Sequence, residues 1–217
     1  MIISLTGFMG CGKSSVGRRL STLLSCSYVD LDSYIEETAG RTVPEIFASD
    51  GEAVFRKMEF EALKILVTSE MRQSAPLAPS QLTLGPSPYP GVGKCQFRTN
   101  ASSQIITSNT PTTSKEAELI ILSLGGGTVM TKECAEIVNE MTVCIYLRAS
   151  VDTLVSHLEN ESEGRPMLAG GDIRSRVTEL MGLRASTYEK TAHIIIDTDG
   201  KSVEDICLEI DSRLKVL

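Results

Sequence analysis

The stretch GFMGCGKSSVGRRL, residues 7–20, restricts the fold of this chain more than any other, because it requires a strand before it and a helix after it. The residues ahead of it, MIISLT, read as a short buried strand, and the apolar-periodic run from Lys13 to Leu24 reads as a helix. Gly7, Gly12, Lys13 and Ser14 have the spacing of a phosphate-binding loop. In such a loop backbone N–H groups point inward at an anion, the Lys neutralises its outer charge and the hydroxyl meets Mg²⁺. The segment therefore predicts a nucleoside triphosphate site at the end of a first strand.

The same strand-then-helix rhythm continues along the chain. SYVDLD at 27–32 reads as a strand, and VPEIFASDGEAVFRKMEFEALKILV as helix, break and helix, with Pro44 in a first turn and Gly51 at the break. ELIILSLGGG from 118 reads as a buried strand ending in three glycines. A helix capped by Thr131, the strand TVCIYL, a helix capped by Ser150, a helix to about Thr187, the strand HIIID and a last helix capped by Ser202 complete the pattern. Alternation of this kind predicts an α/β fold, a parallel sheet covered by helices on both faces with ligands at the carboxyl ends of the strands. The phosphate loop, Asp30 with Asp32, and Gly125 to Gly127 each fall at such an end, so they are expected to meet in one crevice.

Composition narrows the partners. A net charge of −7 gives no basic footprint for nucleic acid or for acidic lipid, and no run approaches 18 apolar residues, so no membrane span is expected. With a strand starting at Met1 there is no charged leader, and the expectation is a cytoplasmic protein. The six cysteines form no C-x-x-C and do not cluster with His157 or His193, which argues against a metal cage or a disulfide framework and leaves reduced thiols. Cys11 stands apart, because it lies within the phosphate loop beside a Lys and a helix start, where a thiol can become reactive; an inert filler is the alternative reading.

Residues 72–115 break the rhythm. They hold six of the eight prolines and thirteen Ser or Thr but none of the 28 acidic residues, so they cannot bury a core of their own and are expected to form a disordered insertion in a single domain spanning 1–217.

Two residues apart at a strand end, Asp30 and Asp32 are expected to point to the same side, toward the loop, one serving Mg²⁺ and the other an acceptor hydroxyl. Either Asp has an alternative role as cap of the helix that follows. Three successive glycines at 125–127 offer a flat backbone against which a ligand can lie.

Taken together, GFMGCGKS, DLD, GRTVPEIFASDGEAVFRKME, LSLGGGTV, GRPML and LRASTYEK resemble the shikimate kinase family, over Met1 to Leu66 and from Leu119 to the C-terminus. The resemblance implies a five-stranded sheet of order 2-3-1-4-5, a substrate-binding segment at 33–61 and a lid at 158–171. It implies an ATP-dependent kinase, acting as a monomer, that phosphorylates the 3-hydroxyl of shikimate on the way to chorismate. Gly10, Cys11, Gly12, Lys13, Ser14 and Ser15 would hold the ATP phosphates, with Ser14 and Asp30 serving Mg²⁺. Asp32 would orient or deprotonate the substrate hydroxyl. Arg56 and Arg184 would clamp the substrate carboxylate, a task suited to the planar guanidinium fork, while Gly126 and Gly127 would bind substrate through the backbone. Arg165 would stabilise charge on the transferring phosphoryl group, and Lys201 would contact the nucleotide. A gluconate-type kinase shares the loop without needing Arg56, the three glycines and Arg184 together; a non-catalytic nucleotide-binding regulator would be expected to lack Asp32 or Arg165.

Overall fold

The computed structural model describes residues 1–68, 119–160 and 172–216. The predicted insertion at 72–115 lies outside the described residues, as do Arg165 and the part of the expected lid from 161 onward; residues 158–160 belong to a helix.

Five strands form one parallel sheet: β1 (Ile2–Thr6), β2 (Ser27–Asp30), β3 (Ile120–Ser123), β4 (Val143–Arg148) and β5 (Ile194–Asp197), in the order β2-β3-β1-β4-β5. The expected α/β class and strand order are both found. Strand β1 lies at the centre and is buried along its whole length, as its continuous run Ile-Ile-Ser-Leu-Thr requires of a strand covered on both faces. Fully buried Ile3 and Leu5 each contribute about 1.5–3 kcal/mol through removal of apolar surface from water. Leu5→Ala would cost about 2–5 kcal/mol.

Helix α1 (Lys13–Leu23) packs with α8 (Val203–Leu214) against one group of strands, and α5 (Lys132–Met141) and α7 (Ile173–Thr191) lie against β4. Helices α2 (Leu31–Ala39), α3 (Val43–Ser49) and α4 (Glu52–Val67) follow β2, and α6 (Val151–Asn160) follows β4. Local signals explain these boundaries. Thr42 and Glu45 form a reciprocal capping box with Pro44 in the first turn of α3, and Ser202 with Asp205 does the same for α8. The Ser150 hydroxyl accepts from the Thr153 amide at the start of α6.

Three sequence expectations need correction. Strand β2 stops at Asp30, because the Asp30 carboxylate accepts from the Ser33 amide at 3.3 Å and turns the chain into α2, so Asp32 sits in a helix's first turn and not on a strand. Helix α7 runs on to Thr191, with no Gly or Pro to stop it near Thr187. Thr131 stands at the start of α5 but its hydroxyl donates back to the Thr128 carbonyl, leaving that helix without a side-chain cap.

Strand register places the site. Asp30 and Leu5 both pair with Ser123, and Thr6 pairs with Tyr146, so the chain segments leaving β1, β2 and β3 emerge level with one another at one edge of the sheet.

Candidate active site

At that edge a cavity of about 680 Å³ is bounded by the phosphate loop, by Asp30 and Asp32, by Arg56 and Glu59 from α4, by Gly125 to Gly127, and by Arg184 from α7. Val43, Pro44, Phe47 and Phe55 give it an apolar side. Residues far apart in sequence are thus brought together as expected, including Gly10, Gly12, Lys13, Ser14 and Ser15.

In the phosphate loop, the buried Lys13 ammonium donates to the Gly7 and Phe8 carbonyls at 3.0 and 2.9 Å and lies 3.9 Å from Cys11 Sγ. Lys13 therefore both braces the loop and borders the cavity. Cys11 is buried behind the loop and does not reach the cavity wall. Ser14 Oγ and the Tyr28 hydroxyl each donate to Asp30 Oδ2 at 3.0 Å. Asp30 thus caps α2 with one oxygen and engages the loop hydroxyl with the other.

Ser14 and Asp30 present hard oxygen donors at the mouth of the phosphate loop, and no group of three or more His, Cys, Asp or Glu among the described residues gathers to hold a metal. That set fits Mg²⁺, which takes one or two protein oxygens and completes its shell with water and phosphate.

Asp32 is different. Its Oδ1 is buried without a hydrogen-bond partner. A Cβ on Gly125 would lie 2.7 Å from that oxygen, 2.9 Å from Glu59 Oε1 and 3.0 Å from Thr128 Oγ1, so only glycine leaves room for the two carboxylates to approach here. Burial, followed by the neighbouring charges of Glu59 and Asp30, pushes the Asp32 carboxyl up to about 6, against a smaller opposing pull from Lys13.

Glu59 has no signal of its own in the sequence. It is fully buried, accepts from Thr128 Oγ1 at 2.7 Å and pairs with Arg56 one turn earlier on α4. Arg56 packs flat against Gly127, where a Cβ would lie 2.5–2.8 Å from the guanidinium. Its Nε and Nη2 donate to Glu52. The other expected carboxylate ligand, Arg184, is buried over the Phe8 ring at 5.9 Å and makes no ion pair among the described residues. One turn further on, the Tyr188 hydroxyl donates to the Gly126 carbonyl at 2.5 Å, and burial pushes that hydroxyl's pKa upward so it stays protonated. This contact ties α7 to the glycine run; the sequence does not single out Tyr188, because a lone Tyr within a helical pattern reads as ordinary core.

Lys201 does not border the cavity. Its ammonium is held by Glu209 at 2.6 Å, although Val203, two residues on, reaches the cavity wall. His157, unassigned from the sequence, does line it, with Nδ1 2.8 Å from the Gly10 carbonyl. The whole constellation has what phosphoryl transfer needs: a phosphate cradle, a carboxylate with a vacant acceptor oxygen, and two guanidinium groups at one cavity.

Comparison with known proteins agrees. A sequence model of the family described as shikimate kinase matches residues 9–73 and 93–215. A shikimate kinase of Dictyoglomus turgidum is 32% identical over 215 residues, covering 98% of this chain and 96% of that protein. One of Thermus thermophilus is 32% identical over 212 residues, covering 98% and 89%. Among solved structures, shikimate kinase from Acinetobacter baumannii in complex with shikimate is similar in fold, with a TM-score of 0.72 at 22% identity over 99% of this chain and 93% of that one.

Proposed function

Given that the chain belongs to the shikimate kinase family, phosphotransferases that use ATP, we propose that its own residues divide the transfer of a phosphoryl group to the 3-hydroxyl of shikimate as follows. The backbone of Gly10 to Ser15 and the Lys13 ammonium bind the ATP phosphates, Lys13 exchanging loop carbonyls for phosphate oxygens. Ser14 and Asp30 would hold Mg²⁺, which when bound would neutralise charge on the phosphates.

Arg56 and Arg184 hold the shikimate carboxylate, and the backbone of Gly126 and Gly127 supports the ring. With the acid anchored there, the ring hydroxyl meets Asp32 Oδ1. Asp32 accepts the hydroxyl proton as the oxygen attacks, which orients the nucleophile and removes its proton. Arg165 stabilises charge on the transferring group, the role that the family resemblance gives it. The buried Oδ1 without a partner carries this reading, since a buried acceptor left unpaired costs free energy unless a ligand donor fills it.

No helix among the described residues is long and apolar enough to cross a membrane. Incubation with ATP, Mg²⁺ and shikimate, read by phosphorus NMR, tests the assignment: the product should carry phosphate on the 3-hydroxyl, and a product phosphorylated elsewhere on the ring would refute the placement of Asp32.

A further inference from the structure

Arg56 already has partners in the position where substrate must meet it. Its Nε and Nη2 both donate to a single oxygen, Glu52 Oε1, at 3.2 and 2.9 Å, and its Nη1 donates to Glu59. Both carboxylates come from α4 itself, one turn before Arg56 and one turn after. They are not equivalent. The Glu59 side chain is 1% exposed and fixed by Thr128, whereas the Glu52 side chain is 53% exposed and has Arg56 as its ion-pair partner. The guanidinium itself is immobilised, with Gly127 against it and the Phe55 ring 5.6 Å away.

When an anion arrives, therefore, Arg56 stays and Glu52 is the group able to leave. An exposed ion pair at i,i+4 is weak and screened by solvent, so release costs little. Ligands differ in what they gain by displacing it. Glu52 offers one oxygen to two N–H groups, and a ligand carboxylate that places one oxygen on each makes the better bidentate contact. A hydroxyl or a carboxamide has only one acceptor oxygen to offer and gains nothing over Glu52.

We propose that Glu52 is an internal competitor for the substrate carboxylate: it occupies the Nε/Nη2 edge of Arg56 in the carboxylate's place and is displaced by an acid substrate, so its release is subtracted from the affinity for acids and compresses the preference for an acid over a carboxamide. The inference rests on the proposed role of Arg56 in substrate binding, and the experiment separates the two. Affinities for shikimate and for its carboxamide would be measured by calorimetry on wild-type protein, Glu52→Ala, Glu52→Gln and Arg56→Gln, with thermal unfolding to establish that each variant is folded, and the apparent KM for ATP alongside.

Glu52→Ala should tighten shikimate by roughly twofold to tenfold and the carboxamide by a smaller factor, widening the preference for acid, with the ATP KM moved by less than about twofold. Glu52→Gln, which keeps an acceptor oxygen but loses the charge, should fall between. The effect of Glu52→Ala should vanish when Arg56→Gln is present. Unchanged or weaker shikimate binding in both Glu52 variants, alongside weakened binding in Arg56→Gln, overturns the proposal and leaves the role of Arg56 standing. Unweakened binding in Arg56→Gln overturns both.

Discussion

Asp32 Oδ1 and Glu59 Oε1 converge on the Cα of Gly125, one at 2.7 Å and the other at 2.9 Å from where a side chain would begin, yet only Glu59 has a hydrogen-bond partner, Thr128, for its converging oxygen. One carboxylate is fixed by Thr128 and Arg56, and the other is left to titrate. The unequal treatment of two neighbouring acids gives each a different task.

The first consequence is a pH dependence of catalysis. Asp32 must be ionised to accept a proton, and its carboxyl titrates near 6 under the influence of burial, Glu59 and Asp30, with Glu36 adding to the rise and Lys13 opposing it. The kcat/KM for shikimate should therefore be level above about pH 7 and fall roughly tenfold per unit well below pH 6. Acid limbs measured on wild type and on Glu59→Gln check this: the variant limb should move to lower pH, because a like charge has been removed.

Stability should run the other way. The folded carboxyl titrates near 6 and the unfolded one near 4, so the folded state binds this proton more tightly. The associated stability is fully present below about pH 4 and is lost as pH rises through 6. At pH 7.5 Asp32→Asn should then be more stable than wild type by on the order of 1–3 kcal/mol, a difference that closes near pH 4. Urea unfolding at the two pH values provides the check.

At Arg56, Lys retains the charge but not the fork. Arg56→Lys should raise the KM for shikimate by about tenfold or more with ATP binding within about twofold, because an ammonium cannot hold two carboxylate oxygens in plane. Titration with each ligand separately distinguishes this from a general folding defect, which would weaken both.

Gly127→Ala gives a steric version of the same test. The added Cβ would stand 2.5–2.8 Å from the guanidinium and force Arg56 aside. Shikimate affinity should drop by roughly tenfold or more while the phosphate loop ahead of α1 keeps its nucleotide affinity. Calorimetry with a non-hydrolysable ATP analogue and with shikimate reads the two effects apart.

How much of this is legible in the sequence depends on whether a residue's role is local. The phosphate loop, Asp30, Asp32 and the three glycines lie in contiguous runs at strand ends, where periodicity places them, and Arg56 and Arg184 follow from runs that resemble the family. Glu59 is illegible for a physical reason: a Glu on a helix shows its burial only when the opposite wall is known, and here that wall is Thr128, 69 residues away. Tyr188 behaves alike, since its partner is a backbone carbonyl at Gly126. Asp32 does line the cavity as expected, but the expectation rests on a strand argument, whereas the capping of α2 by Asp30 places it in a helical turn. Lys201 is given a nucleotide contact only through the family resemblance, and its ammonium is instead taken by Glu209 of α8.

The central claim is that Asp32 supplies the acceptor for the substrate hydroxyl and does little else. Its most direct test is shikimate-dependent ADP release by Asp32→Asn, with nucleotide and shikimate affinity measured on the same preparation. The account predicts turnover lowered by on the order of a hundredfold or more with ATP affinity within a few fold of wild type. Near-wild-type turnover in the folded variant would contradict it.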